Sequence, residues 1–110
     1  MRKEQRLRKA KDFAAVRREG RSWADRPLVL ATRRNGLGVT RFGFIIGKRI
    51  GNAVVRNKIK RRLREISRLT AVQEGWDVVF IARTDAASAD YQMLSNSARE
   101  LFRRARVLNG

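Results

Sequence analysis

Apolar positions along this chain change their spacing several times, and each change marks an element. In AKDFAAVRRE, residues 10–19, Phe13 and Val16 share a face with Ala10 and Arg17 beside them, and Gly20 follows. That spacing predicts a short helix and its stop. RSWADRPLVLATRR, 21–34, has no helical period and reads as extended. Pro27 lacks a backbone N–H, so the run divides into two short strands, with Leu28, Val29 and Leu30 the better-buried part. In TRFGFIIG, 40–47, Phe42, Phe44 and Ile46 alternate with Gly43 and Ile45, the two-residue period of a strand. Between these runs lies NGLG, 35–38, whose Asn-Gly pair favours positive φ. A turn there predicts an antiparallel hairpin.

The strongest helical signal covers residues 52–70, where Val55, Ile59, Leu63 and Ile66 recur three or four apart and Leu69 and Thr70 extend the pattern. EGW at 74–76 interrupts it, and DVVFIA, 77–82, is continuously apolar after its first residue. Such a run predicts a strand buried on both faces. A last helix is expected from Ser88 to Val107, with Leu94, Ala98, Leu101 and Ala105 as its stripe. Ser88 or Asp90 would cap it, and Asn109-Gly110 would end it. The order is helix, strands, helix, strand, helix: a small α+β sandwich with helices covering a sheet. With 110 residues, one proline and no low-complexity run, residues 1–110 read as a single domain, and 1–9 as a flexible basic tail.

Charge changes the picture more than length does. The net charge is +17, from 27 basic and 10 acidic residues. Self-repulsion of that size opposes compaction, and a polyanionic partner relieves it. Nucleic acid fits better than a membrane, because no long apolar segment and no lipidation motif occur. Residues 1–18 include Glu4 and Asp12 and lack an apolar signal core, so a cytoplasmic protein is expected. Cysteine and histidine are absent, which removes disulfides, Cys/His zinc sites, thiol nucleophiles and the commonest general base.

The cations are concentrated in GNAVVRNKIKRRLRE, 51–65, which holds six of them and one anion. At about 100° per residue, Val55, Ile59, Leu63 and Ile66 fall on one side of the helix. Arg56, Asn57, Lys60, Arg61, Arg64 and Arg68 fall roughly opposite, and Arg62 snorkels past the edge of the apolar face. Cations four residues apart stand about 6 Å apart along the axis, a spacing able to track a phosphate backbone. Arginine adds bidentate phosphate contacts and stacking on bases. Asn57 either reads a base edge or fixes a neighbour. A merely solvated face would mix signs, because opposite charges four apart support a helix. Here Glu65 is the only acid between residues 52 and 68. A helix-turn-helix is disfavoured because strands flank this helix on both sides, which favours RNA or single strands.

KRIGNAVVRNKIKRRLRE resembles the signature of the bacterial ribonuclease P protein component, in the form Arg56-Asn57-x-x-Lys60-Arg61-x-x-Arg64. The resemblance extends through RLRKAKDFAAV, GFIIGKRIGNAVVRN, DVVFIAR and LFRRA, nearly the whole chain. It implies the fold order α-β-β-β-α-β-α with a left-handed strand–helix–strand crossover, against the usual right-handed rule. It further implies a ribonucleoprotein endonuclease that removes the 5′ leader of precursor tRNA. In that family the catalytic subunit is an RNA using Mg2+, no organic cofactor takes part, and the protein binds that RNA and the leader without needing to oligomerise. Carried over by position, Arg56, Asn57, Lys60, Arg61, Arg64 and Arg68 would face RNA. Phe13, Arg17, Lys48, Arg49 and Arg33 would line or rim the leader cleft, with Arg41 a further rim cation. Two departures matter: Arg17 stands where the family often has a second aromatic, and Ala31 where it can have tyrosine. Leader binding would then lean on charge more than on stacking.

The basic tail, 2–9, either contacts RNA or is disordered, and Trp23 and Trp76 read as packing residues. No catalytic and no metal-binding residue is expected in the polypeptide, since two-metal hydrolysis needs convergent carboxylates and Asp77, Asp85 and Asp90 lie in separate contexts. The competing readings are a structural RNA binder such as a ribosomal protein, and an autonomous nuclease.

Overall fold

The structure, a computed structural model, describes residues 1–109. Its elements follow the expected order: α1 Ala10–Glu19, β1 Arg21–Ala24, β2 Leu28–Arg34, β3 Arg41–Ile45, α2 Ala53–Leu69, β4 Trp76–Ala82 and α3 Tyr91–Ala105. Single 3-10 turns at Lys3–Gln5, Lys48–Ile50 and Thr84–Ala87 fill the connections.

The strands form one sheet in the order β1-β2-β4-β3. The hairpin expected between β2 and β3 is therefore absent: β4 lies between them, antiparallel to β2 and parallel to β3. The turn chemistry at 35–38 is real but serves another purpose. Gly36 takes φ +70°. The Asn35 backbone N–H donates to the Gly75 carbonyl, and its side chain donates to Asp77 Oδ1 at 3.0 Å. The loop thus clasps the start of β4 and carries the chain over it. β4 takes the centre because it is apolar on both faces, with Val78, Val79 and Phe80 fully buried.

On one face Leu28, Leu30, Phe42, Val78 and Phe80 pack against Ile59, Leu63 and Ile66 of α2 and Leu94, Ala98, Leu101 and Phe102 of α3. Phe80 meets Phe102 edge-on at 5.3 Å between centroids, a favoured aromatic geometry. On the other face Val16 of α1 covers Ala31 and Val79, with Phe13, Ile45 and Ile81 at its border. Trp23 and Trp76 pack at the rim of the larger core, and the Arg34 guanidinium lies 4.6 Å over the Trp76 ring.

Two ends differ from expectation. Asp90 caps α3 by accepting from Met93 N–H at 2.8 Å, whereas Ser88 lies outside the helix and donates to the Asp85 carbonyl. The helix stops at Ala105, where Arg106 turns left-handed with φ 58°, short of Asn109; Gly110 lies outside the described residues. Burial of Val107 turns the chain inward, and Asn109 N–H pairs with the Ala71 carbonyl. Residues 1–9, expected as a flexible tail, are seated in part: Leu7 is buried, and its N–H donates to the Phe42 carbonyl at 2.8 Å. An edge strand leaves such backbone groups unpaired, and β3 is an edge. Among the described residues no helix is long and apolar enough to cross a membrane.

Candidate nucleic-acid interface

The phase of α2 is fixed at both of its faces. Asn52 caps it, its side chain accepting from Val55 N–H at 3.0 Å. Ile59, Leu63 and Ile66 lie in the core. Burying each such side chain contributes about 1.5–3 kcal/mol, so the helix cannot roll without losing several of them. The opposite face is thereby committed to solvent: Asn57, Lys60 and Arg61 are exposed and Arg64 half-buried. Asn57, Lys60, Arg61 and Arg64 line one shallow basin of about 500 Å³. Among the described residues no carboxylate pairs with Arg56, Lys58, Lys60, Arg61 or Arg64. Arg56 sits lower than the rest, half-buried, with its Nε enclosed and lacking an acceptor. Arg62 lies to the side, its Nη1 donating to the Ala89 carbonyl at 3.1 Å.

Lys60 and Arg64 also form one wall of a second, smaller groove of about 210 Å³, which Arg6, Leu7, Arg8, Phe13, Phe42, Gly43 and Phe44 complete. The Phe13 ring rests directly on Gly43, where a Cβ would stand 2.4 Å from Phe13 Cε1. Only glycine permits that approach. The ring is therefore half-buried, packed against the sheet on one side and open to the groove on the other. Basin and groove share Lys60 and Arg64 and form one continuous cationic surface.

Not every expected residue joins it. Arg17 is exposed on α1, and Lys48 and Arg49 are exposed on the turn before α2; none of the three lines the groove. Arg33 is directed to Glu19, at 3.5 Å. Arg68 is not a free cation: it grips Glu65 with two hydrogen bonds of 2.7 and 3.2 Å. Those bonds hold the Glu65 carboxyl below its ordinary range and raise the Arg68 guanidinium above its own. Arg41, expected as a rim cation, is committed to the interior. Its Nε and Nη2 reach the fully buried Asp77 at 2.8 and 2.7 Å, and its Nη1 lies 3.6 Å from Asp12. Nothing local in the sequence shows a partner 36 residues away. Conversely Arg6 and Arg8 enter the groove because Leu7 docks between them. A lone leucine in a basic run was the available signal.

Among the described residues no three acidic side chains gather to hold a metal ion. The acid nearest the ridge, Glu65, is already engaged by Arg68. The surface sets unpaired cations beside the open face of an aromatic ring.

The family model Ribonuclease P matches residues 1–106. The ribonuclease P protein component of Roseiflexus castenholzii is 43% identical, over 100% of this chain and 93% of that protein. That of Clostridium botulinum is 36% identical over 97% of this chain and 99% of its own. Among solved structures, the RNase P protein of Staphylococcus aureus superposes with a TM-score of 0.89 at 33% identity, covering 96% of this chain and 98% of that one. The RNase P protein of Thermotoga maritima gives 0.83 at 31% identity, covering 96% and 98%. Matched in sequence and in fold over nearly its full length, this chain belongs to the ribonuclease P protein family.

Proposed function

We propose that this chain is the protein subunit of ribonuclease P, binding the catalytic RNA along α2 and holding the 5′ leader of precursor tRNA in the groove beside Phe13. The observation that carries the reading is the sharing of Lys60 and Arg64 between the ridge basin and the Phe13 groove. One surface then touches both RNAs at their junction. Phosphates drawn to the ridge relieve the repulsion among Arg56, Lys58, Lys60, Arg61 and Arg64, which internal carboxylates leave uncompensated. The exposed face of Phe13 stacks a leader base, an interaction contributing about 1–3 kcal/mol. Mature tRNA has no leader, so the groove favours substrate over product.

The polypeptide's role is binding and orientation. The chemistry belongs to the RNA subunit with its Mg2+ ions, and the protein's cations lessen the phosphate repulsion that opposes metal uptake there. A direct test adds the purified chain to precursor tRNA with and without the catalytic RNA. Cleavage is expected only with both, and at lower magnesium than the RNA alone requires. Cleavage by the protein alone would make it an autonomous nuclease. No stimulation of the RNA would leave a structural RNA binder.

A further inference from the structure

The ridge has a second flank, away from Phe13. Arg61 borders the basin described above and also a separate depression of about 430 Å³ between α2 and α3, lined by Lys58, Arg61, Arg62, Glu65 and Tyr91. Tyr91 is the first residue of α3, and 37% of it is exposed. Its position is set from two sides. Asp90 caps the helix it opens, and Arg62 reaches across from α2 to the Ala89 carbonyl. The backbone that carries this aromatic side chain is thus held at a fixed place on the surface.

The charges around it select the occupant. Lys58 and Arg61 have no carboxylate partner among the described residues, and the one acid in the depression, Glu65, is engaged by Arg68 at 2.7 Å. An aromatic ring beside two uncompensated cations suits a ligand with a flat face and an anionic link, which is a nucleotide. Because Arg61 is common to both depressions, a strand lying on the ridge passes directly into this one.

We propose that Tyr91 stacks an unpaired nucleobase of the RNA bound along α2, with Lys58 and Arg61 holding the flanking phosphates. The inference rests on the RNA-binding role argued above and adds a second aromatic contact, on the flank opposite Phe13. It is tested by equilibrium binding of the whole chain to the catalytic RNA over a salt series, for the unsubstituted protein and for Tyr91→Phe, Tyr91→Leu, Tyr91→Ala and Lys58→Gln. Loss of stacking should weaken binding roughly 5- to 150-fold in Tyr91→Ala and in Tyr91→Leu, while Tyr91→Phe stays within about twofold. Stacking releases no counterions, so the salt slope of the Tyr91 variants should be unchanged, whereas Lys58→Gln should flatten it by about 0.7–0.9. Full affinity in Tyr91→Ala or Tyr91→Leu, or a loss in Tyr91→Phe equal to that in Tyr91→Ala, overturns the stacking role. Failure of the unsubstituted chain to bind the RNA would overturn the proposed function instead.

Discussion

Replacing Lys60 and Arg64 together by glutamine removes two charges at the point where basin and groove meet. Neither side chain belongs to the core, and neither pairs with a carboxylate among the described residues, so the fold should persist. Each cation that neutralises a phosphate releases condensed counterions, which sets the slope of log affinity against log salt at about 0.7 per phosphate neutralised on single strands and 0.9 on duplex. With two phosphates no longer neutralised, that slope should flatten by about 1.4–1.8. Between 50 and 200 mM salt, a span of about 0.6 log units, the unsubstituted protein should lose about 7- to 12-fold more affinity than the variant. Filter binding to the catalytic RNA at four salt concentrations measures this, with a thermal melt to verify folding. Parallel salt lines for the two proteins, with equal melting temperatures, would refute the ridge as a phosphate track. Arg41→Gln supplies the contrast: its charge is spent on Asp77, so stability should fall while the slope stays the same.

Phe13→Ala should weaken precursor tRNA binding to the holoenzyme about fivefold or more and leave mature tRNA unaffected; equal losses on both would show that the ring only packs on Gly43. Asp77→Ala strips the buried acceptor from Arg41 and Asn35 and should cost about 3 kcal/mol or more in urea denaturation; a cost under about 1 kcal/mol would contradict the bidentate pair. The hydrogen bonds from Arg103, then Arg104, hold Glu100 at about 2 instead of the ordinary 4.5. The folded value lies below the unfolded one, so this stabilisation is complete above pH 4.5 and is lost as pH falls towards 2. Glu100→Gln should therefore give a shallower fall in melting temperature across that window, and an unchanged acid limb would count against the triad.

The elements were legible because each has a strong local period: the α2 stripe and the β4 apolar run appear where the spacing put them. The sheet order was not. Asn35-Gly36 carries the usual signal for a two-strand reversal, and it takes distant pairings, such as the bonds from Asn35 to Gly75 and Asp77, to show that the loop steps over a strand. The ridge was legible for the same reason as the helix, since one periodicity fixes both faces. The commitments of Arg41 to Asp77 and Arg33 to Glu19 were not, because they join residues of different elements. Arg68 is different: Glu65 lies three residues before it on the same helix, and its carboxylate was in view.

The place of β4 has a consequence for how the molecule is made. Synthesis runs from the first residue onward, so β2, β3 and the whole of α2 leave the ribosome before the strand that joins them. Until residues 76–82 emerge, β2 and β3 have no shared neighbour and the greasy side of α2 has no finished floor. The nascent chain must therefore carry its most basic segment unfinished until the middle strand, and after it α3, have emerged to complete the core.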